Sequence, residues 1–195
     1  KYSGNSTMGA TIGHGLSASI DLLIVKNLDA SLNWRVQASP LGGTKGASLN
    51  TTDAFVNAGY WNNTAATDTV FTVDNSAKVN ESGNDYIAYC FHSVSGYSKI
   101  GSFVGDGSTD TVLNLGFEPK WIMIKNTNTT TGWFIMDFPR DNFDQRLLAN
   151  TNNNESSIGT LTTSSTGITI SSNSSDGRIN GRPSQTDTMI YMAFK

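Results

Sequence analysis

Two histidines, one cysteine and a knot of acids are the side chains of this sequence best suited to covalent or proton-transfer chemistry. His14 stands in a Gly13-His14-Gly15 turn, His92 closes an alternating run, and Cys90 lies two residues before it. Neither histidine comes with a Gly-x-Ser-x-Gly elbow, a His-Glu-x-x-His helix or Cys/His zinc spacing, so structural or solvent-facing roles are expected for both. Asp137, Asp141 and Asp144 gather around Arg140. A glycoside hydrolase needs such carboxylates in pairs across a groove. The residues that correspond to them in the first half, 38–45, include no acid. Loop acids paired with Arg140 and Arg146 are therefore the expectation, and no catalytic residue is assigned. Asp106-Gly107-Ser108-Thr109-Asp110 and Asn173-Ser174-Ser175-Asp176-Gly177 offer the oxygen donors that hard cations prefer, but neither has the closing Glu of a twelve-residue calcium loop. They read as turn formers. No metal and no cofactor is expected.

Aromatic side chains offer a second kind of chemistry, because sugars stack on exposed rings. Tyr60 and Trp61, followed by Asn62 and Asn63, lie in an Asn- and Thr-rich stretch that reads as loop or strand edge. These four form the candidate binding or subunit-contact surface. Trp34, Trp121 and Trp133 are expected in the core or half-buried in strands.

The elements that must position these residues occur twice. Lys26, Asn27, Trp34 and Pro40 return as Lys125, Asn126, Trp133 and Pro139, each 99 positions on. Tyr2-Ser3-Gly4-Asn5 answers Phe103-Val104-Gly105-Asp106, Gly15-Leu16 answers Gly116-Phe117, and Asn50-Thr51 answers Asn150-Thr151. The halves end alike, with Ile87-Ala88-Tyr89-Cys90-Phe91 against Ile190-Tyr191-Met192-Ala193-Phe194, and Tyr60-Trp61 falls opposite Ser157-Ile158. Duplication at this scale divides the chain into two β-repeats, 1–95 and 96–195, joined around 93–100.

Short β-branched and aromatic runs bounded by Gly, Asn, Asp and Ser predict strands at 22–26, 34–38, 69–73 and 86–92, repeated at 121–125, 133–136, 167–171 and 188–194. In the run 86–92, Tyr86, Ala88, Cys90 and His92 share one face, where Cys90 reads as a small buried apolar residue. Each Lys-Asn corner opens a hairpin whose second strand begins at the Trp. No segment has helical period, apart from one turn that Phe143 and Leu147 could share. The fold class is all-β: two sandwich-type units, in tandem or merged into one pseudo-symmetric sandwich.

Composition narrows the partners. A chain of 195 residues with 37% hydrophobic and 10% aromatic content builds a core. Net charge is −3 and only 15% of residues are charged. That leaves no basic stripe for a phosphate backbone, so nucleic acid is not an expected partner. No signal peptide and no long apolar span is visible, so membrane insertion is not expected either. Asn-x-Ser/Thr sequons recur from Asn5 to Asn173. In so Asn-, Ser- and Thr-rich a chain they carry no message about secretion.

Together, Tyr2-Ser3-Gly4-Asn5, His14-Gly15-Leu16, Leu23-Ile24-Val25-Lys26-Asn27, Tyr60-Trp61-Asn62-Asn63-Thr64, and the stretch from Tyr86 through Gly96-Tyr97-Ser98-Lys99-Ile100-Gly101-Ser102 resemble a tandem β-repeat family. That family occurs in tail fibres and other virion structural proteins of tailed phages, marine and cyanobacterial ones especially. The resemblance implies a location on the particle surface, synthesis in the host cytoplasm, and copies of itself and other virion proteins as partners. It implies that location better than it implies a ligand; the leading expectation is a tail-fibre or adhesin module that attaches to the host, for which a host-surface glycan is the candidate ligand. Capsid decoration without a host ligand and a carbohydrate-binding module of a cellular adhesin are the alternatives; a depolymerase would be the enzymatic rival. The second half stops at Phe194-Lys195, short of the resembling pattern, and the expectation is that the chain is a fragment.

Overall fold

A computed structural model describes residues 1–158, 161–172 and 179–195. The chain divides into two compact units, one of Lys1–Thr51 with Phe55–His92, the other of Thr52–Ala54 with Ser93–Lys195. In the first, β1 (Tyr2–Ser3), β2 (Ala10–Gly13), β3 (Leu22–Asn27), β4 (Arg35–Ala38), β5 (Lys45–Ser48), β6 (Val56–Asn57), β7 (Val70–Val73) and β8 (Asp85–Phe91) follow one another. They pair as a six-stranded antiparallel sheet β1-β8-β3-β4-β5-β6 and a two-stranded sheet β2-β7.

The second unit repeats this plan. Its strands are β9 (Ser98–Gly105), β10 (Thr111–Asn114), β11 (Trp121–Asn126), β12 (Phe134–Asp137), β13 (Gln145–Leu148), β14 (Ser156–Ser157), β15 (Leu161–Ser164), β16 (Gly167–Ile170) and β17 (Asp187–Phe194). The six-stranded sheet reads β9-β17-β11-β12-β13-β14, the same order, and β10-β16-β15 is the smaller sheet with one added strand. Each unit closes a core of its own between its two sheets. Leu23, Val25, Tyr86, Phe71 and Val73 meet in the first, and Ile122, Ile124, Tyr191, Leu113, Ile168 and Ile170 in the second. The fold is therefore two tandem sandwiches, not a merged one.

The expected strands form with their ends moved by one residue or so. β3 and β11 read as continuous apolar runs because both faces of each are buried. Strands β2, β5, β6, β9, β10, β13, β14 and β15 are not among those expected; in β5, Lys-Gly-Ala-Ser is poor in β-formers, yet it is buried from Gly46 on. A Cβ on Gly46 would come within 3.2 Å of Tyr60 and 3.3 Å of Trp61 Nε1, so the rings select the glycine. The helical turn lies at Phe138–Asp141 and not over Phe143 and Leu147. Phe143 takes a left-handed φ of 63°, and Leu147 belongs to β13.

The repeated residues do architectural work. Lys26 Nζ donates to the carbonyls of Asn27 and Ala30, at 2.5 and 3.0 Å, and Lys125 Nζ donates to those of Thr129 and Thr131, at 3.2 and 2.9 Å. Asn27 Oδ1 accepts from the Asp29 and Ala30 amides, and Asn126 Oδ1 accepts from Asn128. Asn50 and Asn150 each accept from the amide of the corner tryptophan, Trp34 or Trp133, at 2.9 and 3.0 Å. Pro40 and Pro139 each sit in the first turn of a short helical segment, where a missing N–H costs nothing. Gly4 and Gly105 pass so close to the facing backbone that a Cβ would stand 2.1 Å from the Glu81 oxygen or 2.4 Å from that of Asn180.

Candidate functional site

At one end of the first sandwich, β1, β2, β7 and β8 leave a cleft of about 250 Å³, with Lys1 and His14 among its lining residues. Tyr2, Ile12, Gly13, Leu16, Phe71, Ala88 and Cys90 complete it. Its two polar candidates are not poised for catalysis. His14 Nδ1 accepts from the Leu16 amide at 3.1 Å, which leaves Nε2 to donate to the Thr67 carbonyl at 3.2 Å. Both ring nitrogens are thus engaged by backbone, Nδ1 within the turn and Nε2 across to the loop before β7. Burial pushes the Cys90 thiol up, away from the thiolate that a nucleophile needs. Half-buried, Cys90 packs against the core as a small apolar residue.

The acids around Arg140 form a different arrangement. Asp137 caps the helical turn by accepting from the Arg140 amide at 3.1 Å and also takes Arg140 Nε at 2.9 Å. Asp141 lies 3.2 Å from the same guanidinium, which also bonds Glu155. Asp144 accepts the Ile158 amide through its own backbone carbonyl. Arg146 reaches Ser156 and covers the Phe134 ring at 5.0 Å. Asp137 and Asp141 thus pair with Arg140 as the sequence suggested, and Arg146 reaches a hydroxyl and a ring. In the first unit the cap position is Ala38, and its turn has no side-chain cap. The turn Asp106-Gly107-Ser108-Thr109-Asp110 ties its carboxylates to backbone: Asp106 accepts from Ser108 and Thr109, and Asp110 from Ser172. Those amides hold both carboxyls below the usual range. The turn at Asn173-Ser174-Ser175-Asp176-Gly177 lies outside the described residues. Among the described residues, no three His, Cys, Asp or Glu side chains are grouped to hold a metal ion, and no helix is long and apolar enough to cross a membrane.

The aromatic surface expected at residues 60–63 is corrected by the structure. Trp61 is fully buried in the first core, where its large apolar ring fills the space over Gly46. Tyr60 is half-buried, with Arg35 and Lys78 over its ring at 4.8 and 5.0 Å, so cations already occupy the face a sugar would use. Asn62 and Asn63 turn the chain with φ of 50° and 55°. These four residues are neighbours in sequence without forming one exposed aromatic platform. Rings that do reach solvent are Tyr89, 41% exposed and stacked on Trp34 at 6.2 Å, and Tyr97, 58% exposed and edge-on to Phe194.

Three features went unnoticed in the sequence. Lys125 is fully buried, and its amine is pushed down to about 8 by burial. Besides the two carbonyls of its own corner, it reaches the Thr52 carbonyl at 3.4 Å, so it braces loops and offers no free nucleophile. Asn80 and Asn180, both buried, tie strand ends together in the two units. Their spacing of 100 was a legible signal, since it follows the repeat. Ala88, in the cleft, stands where the second unit has Tyr191. The aligned halves already showed that exchange, but only the cleft gives it meaning.

A family model described as a domain of unknown function, DUF7483, matches residues 1–195. The chain belongs to the DUF7483 family. One match covers both units, so this family is defined on the pair of sandwiches. No curated protein and no solved structure matches the chain.

Proposed function

We propose that this member of the DUF7483 family is a non-enzymatic structural module of a phage virion, serving in a tail fibre or adhesin that attaches to the host surface. The observation that carries this reading is where the repeated residues go. Lys26/Lys125, Asn27/Asn126, Trp34/Trp133, Asn50/Asn150 and Gly4/Gly105 all hold loops and strands in place in both copies. What was kept after duplication is scaffold. The side chains that could have served chemistry are tied into turns, as His14 and Asp137 are. The resemblance to tandem β-repeats of phage fibres supports the virion location, and a rigid repeat displayed in many copies gains attachment strength by multivalency. Copies of itself and other virion proteins are the partners on this reading, with a host glycan as ligand. Exposed Tyr89 and Tyr97, rather than Trp61, are then the rings to test against sugars.

The test is to present fluorescently labelled protein, as monomer and as streptavidin-linked tetramer, to a panel of marine bacteria and cyanobacteria with soluble glycans as competitors. Binding of the tetramer that one glycan abolishes supports attachment. No binding to any strain by either form overturns it in favour of a decoration role on the particle.

A further inference from the structure

Another depression, of about 450 Å³, is lined only by residues of the second unit and lies where the approach to β9 meets the end of β10. Its volume falls in the range of small-molecule sites, about 300–1,000 Å³. Backbone parity fixes its place. The Tyr97 carbonyl accepts the Lys195 amide, so odd-numbered residues of β9 turn their N–H and C=O groups to β17 and even-numbered ones turn theirs away. On that far side the chain before β9 folds back along it: the Ser98 amide donates to the Val94 carbonyl at 2.9 Å, and the Ile100 amide to Ser93 Oγ at 3.0 Å. Ser93 Oγ in turn donates to the Ile100 carbonyl at 3.3 Å. The opposite wall is held as firmly, because the Leu115 and Gly116 amides both donate to the Thr166 carbonyl, at 2.8 and 2.9 Å. Backbone bonds therefore set both walls before any ligand arrives.

What those walls present is polar and uncommitted. Lys99, Ser95 and Asn114 line the depression and are exposed, and among the described residues none of their side chains makes a hydrogen bond or an ion pair. Lys99 stands opposite Ala193 of the core, so its stem leaves from the core-facing side of β9 while its amine stays in solvent. It is the charged residue of the lining. Leu115, which is buried, is the apolar one. In the first unit Gly13 and His14 hold the places of Asn114 and Leu115, and both nitrogens of that imidazole are taken by backbone. The free amide therefore belongs to the second unit alone.

We propose that this depression binds a carboxylated sugar, a uronic acid unit of an acidic glycan, with its carboxylate on Lys99 and its hydroxyls on Asn114 and Ser95. One ammonium with no carboxylate of its own selects an anionic group, and a charge-assisted bond is stronger than one between neutral partners. Sugar hydroxyls both donate and accept, as a side-chain amide and a serine hydroxyl do. The C–H face of a pyranose suits Leu115, and a bare anion would leave most of the volume unused. The ligand class rests on the attachment reading only for its source, the host surface.

Isotope-labelled protein is titrated with methyl glucuronide, methyl glucoside and acetate while the amide resonances of Lys99, Asn114, Leu115 and Gly116 are followed. The glucuronide should saturate shifts at these residues at concentrations at least about tenfold below those of the glucoside, which lacks the charge, and of acetate, which lacks the hydroxyls. In Lys99→Gln, whose own spectrum reports that it is folded, the preference over the glucoside should vanish. Asn114→Ala should weaken the glucuronide severalfold and leave acetate as it was. Equal response to glucuronide and glucoside, acetate matching the glucuronide, no saturable shift with any of the three, or a preference that survives in Lys99→Gln overturns the proposal. Whole cells separate this site from attachment itself. Lys99→Gln tetramers that bind cells as the wild type does would remove the site and leave attachment standing; wild-type tetramers that bind no strain, with the glucuronide preference intact, would do the reverse.

Discussion

The same Lys-Asn corner is built twice with different electrostatics. In the first unit Asn27 Nδ2 donates to neutral partners, the Ala77 carbonyl and the Tyr86 hydroxyl. In the second, Asn126 Nδ2 donates to the buried carboxylate of Asp187, which Arg182 clamps through Nε and Nη2 at 2.9 and 2.8 Å. Lys125 is buried beside it in sequence, whereas Lys26 keeps partial exposure. One backbone geometry thus tolerates a neutral or a charged solution. What duplication preserved is the set of bonds to the loop, and what diverged is how the buried end of the asparagine is satisfied.

The largest effect that would break the equivalence of the units concerns the cores. Trp61→Ala should cost about 3–5 kcal/mol, and Ile158→Ala at the matching place in the second unit about 2–5. Chemical denaturation measures both. A loss under about 1 kcal/mol for Trp61→Ala would return that ring to the surface.

The close strand approaches come next. Gly4→Ala and Gly105→Ala force a Cβ onto backbone oxygen and should each destabilise by about 1–3 kcal/mol, in its own unit only. Amide hydrogen exchange at β3 and β11 separates the two responses.

The two corners should also part company with pH. Burial holds the Lys125 amine near 8, so between about pH 8 and 10 the unfolded chain keeps a proton that the folded one has released, and the second unit gains stability as pH rises, by roughly 1–3 kcal/mol. Lys125→Met should flatten that rise. Arg182 first, then Asn126, holds the Asp187 carboxyl low, so the same unit loses stability as pH falls below about 4, and Asp187→Asn should remove that limb. Burial raises the phenols of Tyr86 in the first unit and Tyr191 in the second, and both units should weaken above about pH 10. Exchange rates in β3 and β11 between about pH 8 and 10 would show opposite trends, since burial raises the Cys90 thiol in the first unit and lowers the Lys125 amine in the second; parallel trends in that window would deny the comparison. The smallest effect belongs to Asn50→Ala and Asn150→Ala, each about 1 kcal/mol for one lost bond to the corner tryptophan's amide.

Much of the scaffold was legible in the sequence. β3, β8, β11 and β17 announced themselves because they are long, apolar and β-branched or aromatic. β5 stayed hidden because Gly46 lies against the rings of Tyr60 and Trp61, which lie elsewhere in the chain. The same partnership misled the reading of Trp61: an Asn- and Thr-rich neighbourhood describes the loop's surface, not where one ring within it points. Asp137 was legible as an acid beside Arg140, but not as a helix cap, since its counterpart Ala38 leaves the cap vacant. The cleft was invisible, because it is made of an absent side chain at Ala88.

One feature of the strand order has a mechanical side. β1 and β8 are antiparallel neighbours, as are β9 and β17, so each sandwich is threaded through adjacent strands at the same end. In the second unit Ser98 and Phe194 face each other there. A load drawn through those two strand ends bears on that pair first and then on the next, opening the ladder like a zipper rather than sliding all its rungs at once.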